Sequence, residues 1–467
     1  MADLFVAYSS NDRVAAEKLI RLLEAQWSVW WDDLIVGDFD SAIETEVPRA
    51  KCLIVLWSPT ARESNEVKDE VRLARDHDIP VIAVKLAACS PPYGMMGLSF
   101  VDMLGWSGDG LDQGYLQLLR KITTVVTPRR SPIRPRAILD TRVELPALFL
   151  SVSSHETQLT PGYAVEALKT HQAPLILVSA YDAVGSRRDE RMLAELADYR
   201  ERGGFVLIDS GNYEATRLKD ETWSPEKFAE ALADMPHDCA FCFDALDPPK
   251  DTERAADAVI AAVERDGVHA SGPMLPIVHA RRFPKGGFDL PGLAKVICKV
   301  AEQLTPAMIA IPERELGAGL LERARSMMKL RSALSKLPFY QPIHLLGTGN
   351  PWSIALLATA GADSFDGLEW CRVAVDHDSG RLHHYQHFDF FRYQAELSDS
   401  PLTREALNMR SVTYPAKVAF HNLDYYGGLA RKLIAAAAKG DFEALVVGML
   451  GAANIRQVKK TLPELLL

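Results

Sequence analysis

From residue 147 onward the chain carries eight short apolar runs, at 147–152, 174–180, 204–208, 239–243, 274–278, 307–311, 342–346 and 364–369, with room for one helix between each pair. The intervening stretches have the 3.6-residue period of covering helices: 189–200 places Met192, Leu193, Leu196 and Tyr199 on one face, and 252–264 places Ala255, Ala256, Val259 and Ile260. Apolar runs buried on both faces and joined by helical crossovers form parallel strands. Eight such strands, seven intervening helices and a closing helical region predict a (β/α)8 TIM barrel over 145–467, with its chemistry at the C-terminal strand ends. Those ends read 151–155, Asp209-Ser210-Gly211, Asp244, His279, Pro312-Glu313, Gly347-Thr348-Gly349 and Asp366. One aspartate at such a turn is equally a helix cap, but Asp209, Asp244 and Asp366 converging on one rim argue for a site.

Residues 1–126 alternate in the same way, with apolar runs at 4–7, 28–31, 52–57 and 80–86, and predict a smaller parallel sheet. Its strand ends carry Tyr8-Ser9-Ser10, Asp32-Asp33 and Ser58, where sites of such sheets lie. Asn11 or Asp12 is placed to cap a helix whose apolar stripe is Ala15, Ala16, Leu19, Leu22 and Leu23. The segment 127–144, opening on the Pro- and Arg-rich run 127–136, is expected to be a stiff linker between the two domains.

The net charge of −10 excludes a broad nucleic-acid-coating surface and leaves room only for a local basic contact. Six scattered cysteines, several inside apolar runs, fit a reducing compartment, and Cys239-Ala-Phe-Cys242 reads as two buried strand thiols. No stretch reads as a leader or a membrane span, so a cytoplasmic protein with no membrane partner is expected. His383-His384-x-x-His387 with Asp389 reads as a solvated or hairpin histidine cluster, and no metal site is expected.

The order Phe5-Val6-Ala7-Tyr8-Ser9, Asp12, Val29-Trp30-Trp31-Asp32, Gly37, Leu53-Ile54-Val55-Leu56-Trp57-Ser58 and Ser64-x-x-Val67-x-x-Glu70 resembles a TIR domain. The resemblance implies a flavodoxin-like fold, self-association through TIR domains and, for enzymatic members, NAD as substrate with Glu70 as the catalytic residue of its hydrolysis. Tyr8, Ser9, Trp31, Asp33, Gly37 and Ser58 are then the residues expected around NAD. The chain departs from the pattern at Glu66, where many relatives carry tryptophan, so a stacking ring is expected from Trp30, Trp31 or Trp57. On composition alone Glu70 is one more charge among Glu63, Glu66, Lys68, Asp69 and Arg72.

Over 145–445 four segments in order resemble the tRNA-guanine transglycosylase superfamily: Asp209-Ser210-Gly211-Asn212-Tyr213, His344-Leu345-Leu346-Gly347-Thr348-Gly349, Gly361-Ala362-Asp363-Ser364-Phe365-Asp366 and His421-Asn422-Leu423-Asp424-Tyr425-Tyr426. The resemblance implies Asp366 as a nucleophile on the ribose, Asp209 as a proton shuttle that binds the base, and Asp244, His279, Gly347, Gly349 and Arg372 as further base-binding positions. Asn212 replaces a glycine, His279 a glutamine, and only His421 remains of the bacterial enzymes' zinc ligands, so no zinc is expected.

Together the two halves imply a TIR-type NAD hydrolase regulated by a barrel that senses a nucleobase, nucleotide or nucleic acid, as in prokaryotic antiphage systems, with a ligand or a partner protein as trigger. The alternative is an active base-exchange transglycosylase placing a 7-deazaguanine-type base in DNA or RNA, with the TIR domain as interaction module. A scaffold without catalysis in either half is the third reading.

Overall fold

The two alternating patterns form two separate parallel sheets. The computed structural model of the protein describes residues 2–31, 39–90, 92, 95, 100–108, 110, 112–128, 132–155 and 157–466, in two units: Met1–Arg134 with Ser335–Tyr340, and Pro135–Leu334 with Gln341–Leu467.

In the first unit, β1 (Leu4–Ala7), β2 (Val29–Trp30), β3 (Cys52–Trp57), β4 (Val81–Lys85) and β5 (Phe100–Asp102) form a parallel sheet in the order β2-β1-β3-β4-β5. Leu4 pairs with both Val29 and Cys52, Leu53 with Val81, and Ala83 with Phe100. β3 lies at the centre and is buried along its whole length, which is why it reads as an unbroken apolar run. β5 is absent from the sequence reading, because three residues are too few to show a period.

The helix Arg13–Leu23 buries Ala16, Leu19, Ile20 and Leu23, while Ala15 and Leu22 of the expected stripe lie at its half-buried margin. Asp12 occupies the N-cap without capping: its carboxylate instead accepts hydrogen bonds from Ser58 Oγ at 2.5 Å and Thr60 Oγ1 at 3.2 Å. The helix Asn65–Asp76 is capped by Ser64, whose Oγ accepts the Val67 N–H at 3.2 Å, and it packs on β1, β3 and β4.

The second unit begins with an antiparallel ribbon, β6 (Ala137–Ile138) and β7 (Val143–Glu144), formed within the stretch expected as linker. β8 (Ala147–Val152), β9 (Leu175–Ser179), β10 (Phe205–Asp209), β11 (Cys239–Phe241), β12 (Met274–Leu275), β13 (Ile309–Pro312), β14 (Ile343–Leu346) and β15 (Ser364–Gly367) follow. They pair in parallel in the order β12-β11-β10-β9-β8-β15-β14-β13. The remaining gap is nearly closed by one parallel bridge, Ile277 to Ala310, with Val278 N–H on Ala310 O and Ala310 N–H on Pro276 O, both at 2.9 Å.

Inside the barrel Phe149 and Phe241 pack on the His344 ring, with centroids 5.9 and 5.2 Å apart. Burying each such ring contributes roughly 1.5–3 kcal/mol. The helices Glu190–Glu201 and Thr252–Gly267 cover the sheet, the first through the four residues named from its period, the second mainly through Ala255 and Ala256. Cys239 and Cys242 are buried free thiols, and burial pushes Cys242 up to about 12.

Beyond β15 the chain makes a hairpin, β16 (Val373–Val375) and β17 (Leu382–His384), and then the long helices Tyr414–Lys439 and Phe442–Thr461. The buried Asn422 side chain pins this turn: Nδ2 donates to Trp370 O at 2.9 Å and Val373 O at 2.6 Å, and Oδ1 accepts the Val375 N–H at 3.0 Å. His421 donates through Nε2 to Val375 O at 2.8 Å and stacks on His377 at 4.1 Å. Burial, then the neighbouring His377, lower its pKa to about 4, so the ring is neutral. In the expected histidine cluster, His383 packs on Phe391 and His384 Nδ1 accepts the Gln386 N–H. Among the described residues no helix is long and apolar enough to cross a membrane, and no group of three or more His, Cys, Asp or Glu is placed to hold a metal ion.

Candidate functional site

The C-terminal ends of the barrel strands enclose a cavity of about 310 Å³. Asp209, Asp244, His279, Gly347, Asp366 and Arg372 all line it, brought together from positions up to 163 residues apart. Gly349 does not: it packs in the turn against Gly367 and Glu369, and its carbonyl accepts the Tyr426 hydroxyl at 2.8 Å. A Cβ at Gly349 would lie 1.6 Å from Glu369 Oε2, forcing that carboxylate to move, and 3.1 Å from Gly367 Cα, a tight approach to backbone.

Asp366, on β15, is held at both oxygens. Oδ2 accepts from Ser151 Oγ at 2.8 Å, and Oδ1 accepts from Gly347 N–H at 2.8 Å and faces His344 Nε2 at 3.2 Å. His344 Nδ1 lies 2.8 Å from Ser364 Oγ, which orients the ring. Gly347 has φ +73°, a conformation that glycine adopts at no steric cost and that aims its N–H at the carboxylate.

Asp209 and Asp244 have opposite electrostatic fates. Burial, and then the neighbouring Asp244 charge, push Asp209 up to about 7, against backbone hydrogen bonds from Ser210 and from the Gly211 N–H, the latter at 3.1 Å. Burial also opposes ionisation of Asp244, but the hydrogen bond and charge of His279 and the Ser210 hydroxyl hold it below the usual carboxylate range. Ser210 Oγ lies 2.7 Å from Asp244 Oδ1 and His279 Nε2 2.7 Å from Oδ2. Two carboxyl groups split in this way supply one proton donor and one fixed anion. Asn212, the departure from glycine, donates to Asp244 O at 2.6 Å and so fixes the same residue through its backbone.

His279 has no free nitrogen for a ligand: Nδ1 lies 2.8 Å from Glu315 Oε1 and Nε2 is on Asp244. Burial lowers the basicity of the ring, yet its hydrogen bonds to the two carboxylates outweigh this and raise it to about 9. Both ring nitrogens of His279, expected at a base-binding position, are thus taken up by Asp244 and Glu315.

Two residues at the site, Glu315 and Glu214, escape the sequence reading. Glu315 lies in the 3-10 turn Glu313–Leu316 after β13, a position without periodicity. Glu214, on the short helix Asn212–Leu218, is buried in the cavity wall and accepts from Ser153 Oγ and from Ser179 Oγ at 2.5 Å. Burial, then the nearby Asp182, push it up to about 8. His344 was visible as a motif residue, and its contact with Asp366 follows from parallel pairing of β14 and β15.

In the first unit Glu70 lies on the inner side of the helix Asn65–Asp76 with Val67, Val71 and Ala74, 8 % exposed, instead of on the charged outer face. Tyr8, Ser9 and Ser58 are buried at the ends of β1 and β3. Ser58 also caps the helix Pro59–Glu63, accepting the Ala61 N–H at 3.0 Å. Trp57 is wholly within the core, Trp30 stacks on Phe5 at 4.8 Å, and Trp31 is half-buried with the Arg13 guanidinium 5.9 Å from its ring centre. Of the three expected stacking rings, Trp31 alone is therefore placed at a strand end without a core role. Asp33 and Gly37 lie outside the described residues. A surface concavity lined by Pro59, Arg62, Glu63, Lys68, Ala88 and Cys89 contains none of the residues expected around NAD.

A parallel sheet followed by a barrel with an acidic, enclosed strand-end cavity defines a two-part α/β protein. Residues 4–119 match the family model of the TIR domain. Curated relatives of the remainder include the tRNA-guanine(15) transglycosylase of Methanopyrus kandleri, 28 % identical over 178 residues that make up 37 % of each chain. Another is the tRNA-guanine(15) transglycosylase of Archaeoglobus fulgidus, 22 % identical over 239 residues, 50 % of this chain and 48 % of the relative. The chain thus spans about half or less of the length of these relatives. It carries a TIR domain at its N-terminus, and its C-terminal region resembles tRNA-guanine transglycosylases at low identity.

Proposed function

We propose that the protein is a TIR-type NAD hydrolase, acting in the cytoplasm in antiphage defence and governed by a barrel that binds a nucleobase, a nucleotide or a nucleic acid. The observation that carries this reading is the burial of Glu70 on an otherwise charged helix. A carboxylate held off the solvent face suits a group that stabilises the positive charge on ribose as nicotinamide leaves. The glycosidic C–N bond breaks, water supplies the new C–O bond and a proton is released, giving ADP-ribose and nicotinamide. Tyr8, Ser9, Trp31, Asp33, Gly37 and Ser58 are the residues assigned to NAD. Ligand binding in the barrel, or a partner protein, shifts the population towards a self-associated, active form.

NAD consumption by the full chain tests this, alone and with purine bases, nucleotides, DNA and RNA, beside Glu70→Ala. Turnover that appears with one class of ligand and vanishes in the variant is expected. Wild type that never cleaves NAD, or a variant that cleaves equally, rejects it.

A second reading is favoured by the geometry of Asp366, whose oxygens are fixed by Ser151, Gly347 and His344 in the same cavity as Asp209, whose pKa is pushed up to about 7. In base exchange Asp366 attacks the ribose carbon, the outgoing base takes a proton from Asp209, and an incoming base of the 7-deazaguanine type displaces the carboxylate as its own ring N–H proton returns to Asp209. The TIR domain is then a docking module. Incorporation of labelled guanine into DNA or RNA, lost in Asp366→Asn, is the expected sign, and no exchange with either nucleic acid rejects it.

A further inference from the structure

The floor of the barrel cavity is acidic and buried, but two exposed arginines, Arg217 and Arg314, line its rim. Arg217 lies on the helix Asn212–Leu218 four residues after Tyr213, so the two side chains share a face of that helix. Arg314 comes from the turn Glu313–Leu316 after β13, and its guanidinium lies over the Tyr213 ring, 4.1 Å from the centroid. Tyr213 thus brings two cationic groups from distant segments to one stretch of the rim. The carboxylates nearest to them in the chain are engaged elsewhere. On either side of Arg314, Glu313 pairs with Arg323 at 2.8 Å and Glu315 holds His279 and the Ala280 N–H. On either side of Arg217, Glu214 accepts from two serine hydroxyls and Asp220 pairs with Arg187 at 2.7 Å. Among the described residues neither Arg217 nor Arg314 has an ion pair or a hydrogen bond.

We propose that Arg217 and Arg314 form a phosphate site at the rim, so that the ligand of the barrel is a nucleoside monophosphate and not a free base or a strand of nucleic acid. The proposal rests on the barrel reading above, which supplies the heterocycle. A phosphate monoester carries a charge of about −1.5 to −2 at neutral pH, which two uncompensated guanidiniums match, and their planar N–H forks suit its oxygens. Stacking on Tyr213 fixes the plane of the Arg314 fork, so less rotamer freedom is lost when an anion binds. A strand of DNA or RNA brings one phosphate per nucleotide and needs a basic track beyond this pair, against a chain of net charge −10. The cavity of about 310 Å³ is also at the small end of ligand sites.

Equilibrium dialysis of the full chain against the common bases, their ribonucleosides, the 5′-monophosphates and short single-stranded DNA and RNA tests this. For the base that binds, the monophosphate is expected to bind at least ~10-fold tighter than the nucleoside, the value of about one charge-assisted hydrogen bond. Arg217→Ala and Arg314→Ala should each reduce that advantage to within about threefold and leave nucleoside binding unchanged. Both side chains are exposed, so an unshifted melting midpoint is expected for each variant, and the wild-type comparison stands without them. A monophosphate that binds no tighter than its nucleoside or free base, or an advantage unchanged in both variants, overturns the phosphate site and leaves the barrel reading in place. Tighter binding of DNA or RNA than of any monophosphate overturns the mononucleotide. Binding of no base, nucleoside, nucleotide or nucleic acid overturns the proposal and the barrel reading together.

Discussion

Asp363 and Asp366 stand three residues apart in one motif, and replacing each with alanine should have opposite consequences. Asp363 is 0 % exposed at the start of β15, where Oδ2 pairs with Arg331 Nη2 at 2.6 Å and accepts the Ile343 N–H at 2.9 Å. Removing one partner of a buried pair costs about 3–5 kcal/mol. Arg331 keeps the carbonyls of Gly361 and Gln341, which argues for the lower end, about 3 kcal/mol. At about 2 °C per kcal/mol for a large unit, Asp363→Ala should lower the barrel's melting midpoint by roughly 6 °C. Asp366 faces the cavity, where water can satisfy Ser151 and the Gly347 N–H, and its removal relieves a lesser charge that, behind burial and Asp244, raises Asp209. Asp366→Ala should therefore leave the midpoint within about 2 °C, a stability change of about 1 kcal/mol or less, while abolishing barrel chemistry. Scanning calorimetry of the full chain reads both. Equal shifts for the two variants, or an Asp363→Ala midpoint within about 1 °C of wild type, would refute the division of labour.

Gly349→Ala places a Cβ 1.6 Å from Glu369 Oε2 and 3.1 Å from Gly367 Cα, so it should destabilise the barrel by about 1–3 kcal/mol, measured by the same melting curve. The raised pKa values of Asp209, about 7, and Glu214, about 8, carry a definite sign. Each acid holds its proton more tightly when folded, so their stabilising contribution is complete below the ordinary carboxyl range and is lost as pH rises through the folded values. The barrel midpoint should fall between about pH 5 and about pH 8, and a double variant Asp209→Asn, Glu214→Gln should flatten that fall in melts across the pH series.

How much of this was legible in the chain depends on how far apart the interacting residues lie. The eight barrel strands were readable because burial on both faces leaves an unbroken apolar run within a single segment, as in Ala147–Val152. β5 was not, since Phe100–Asp102 carries no periodic signal. Capping by Ser64 and Asp189 concerns neighbours three residues on, whereas Asp12 is drawn to Ser58 across the sheet, and proximity in sequence could not reveal that competitor.

By itself the sequence determined the parallel order of elements and the strand ends on which Asp209, Asp244 and Asp366 stand, because hydrophobic periodicity is a local property. Only the tertiary structure decided the opposite pKa shifts of Asp209 and Asp244, the inward turn of Glu70 and the enclosure of His279 between Asp244 and Glu315. Those outcomes depend on desolvation and on hydrogen bonds between side chains tens to hundreds of residues apart, which exist once the barrel brings its strand ends to one rim.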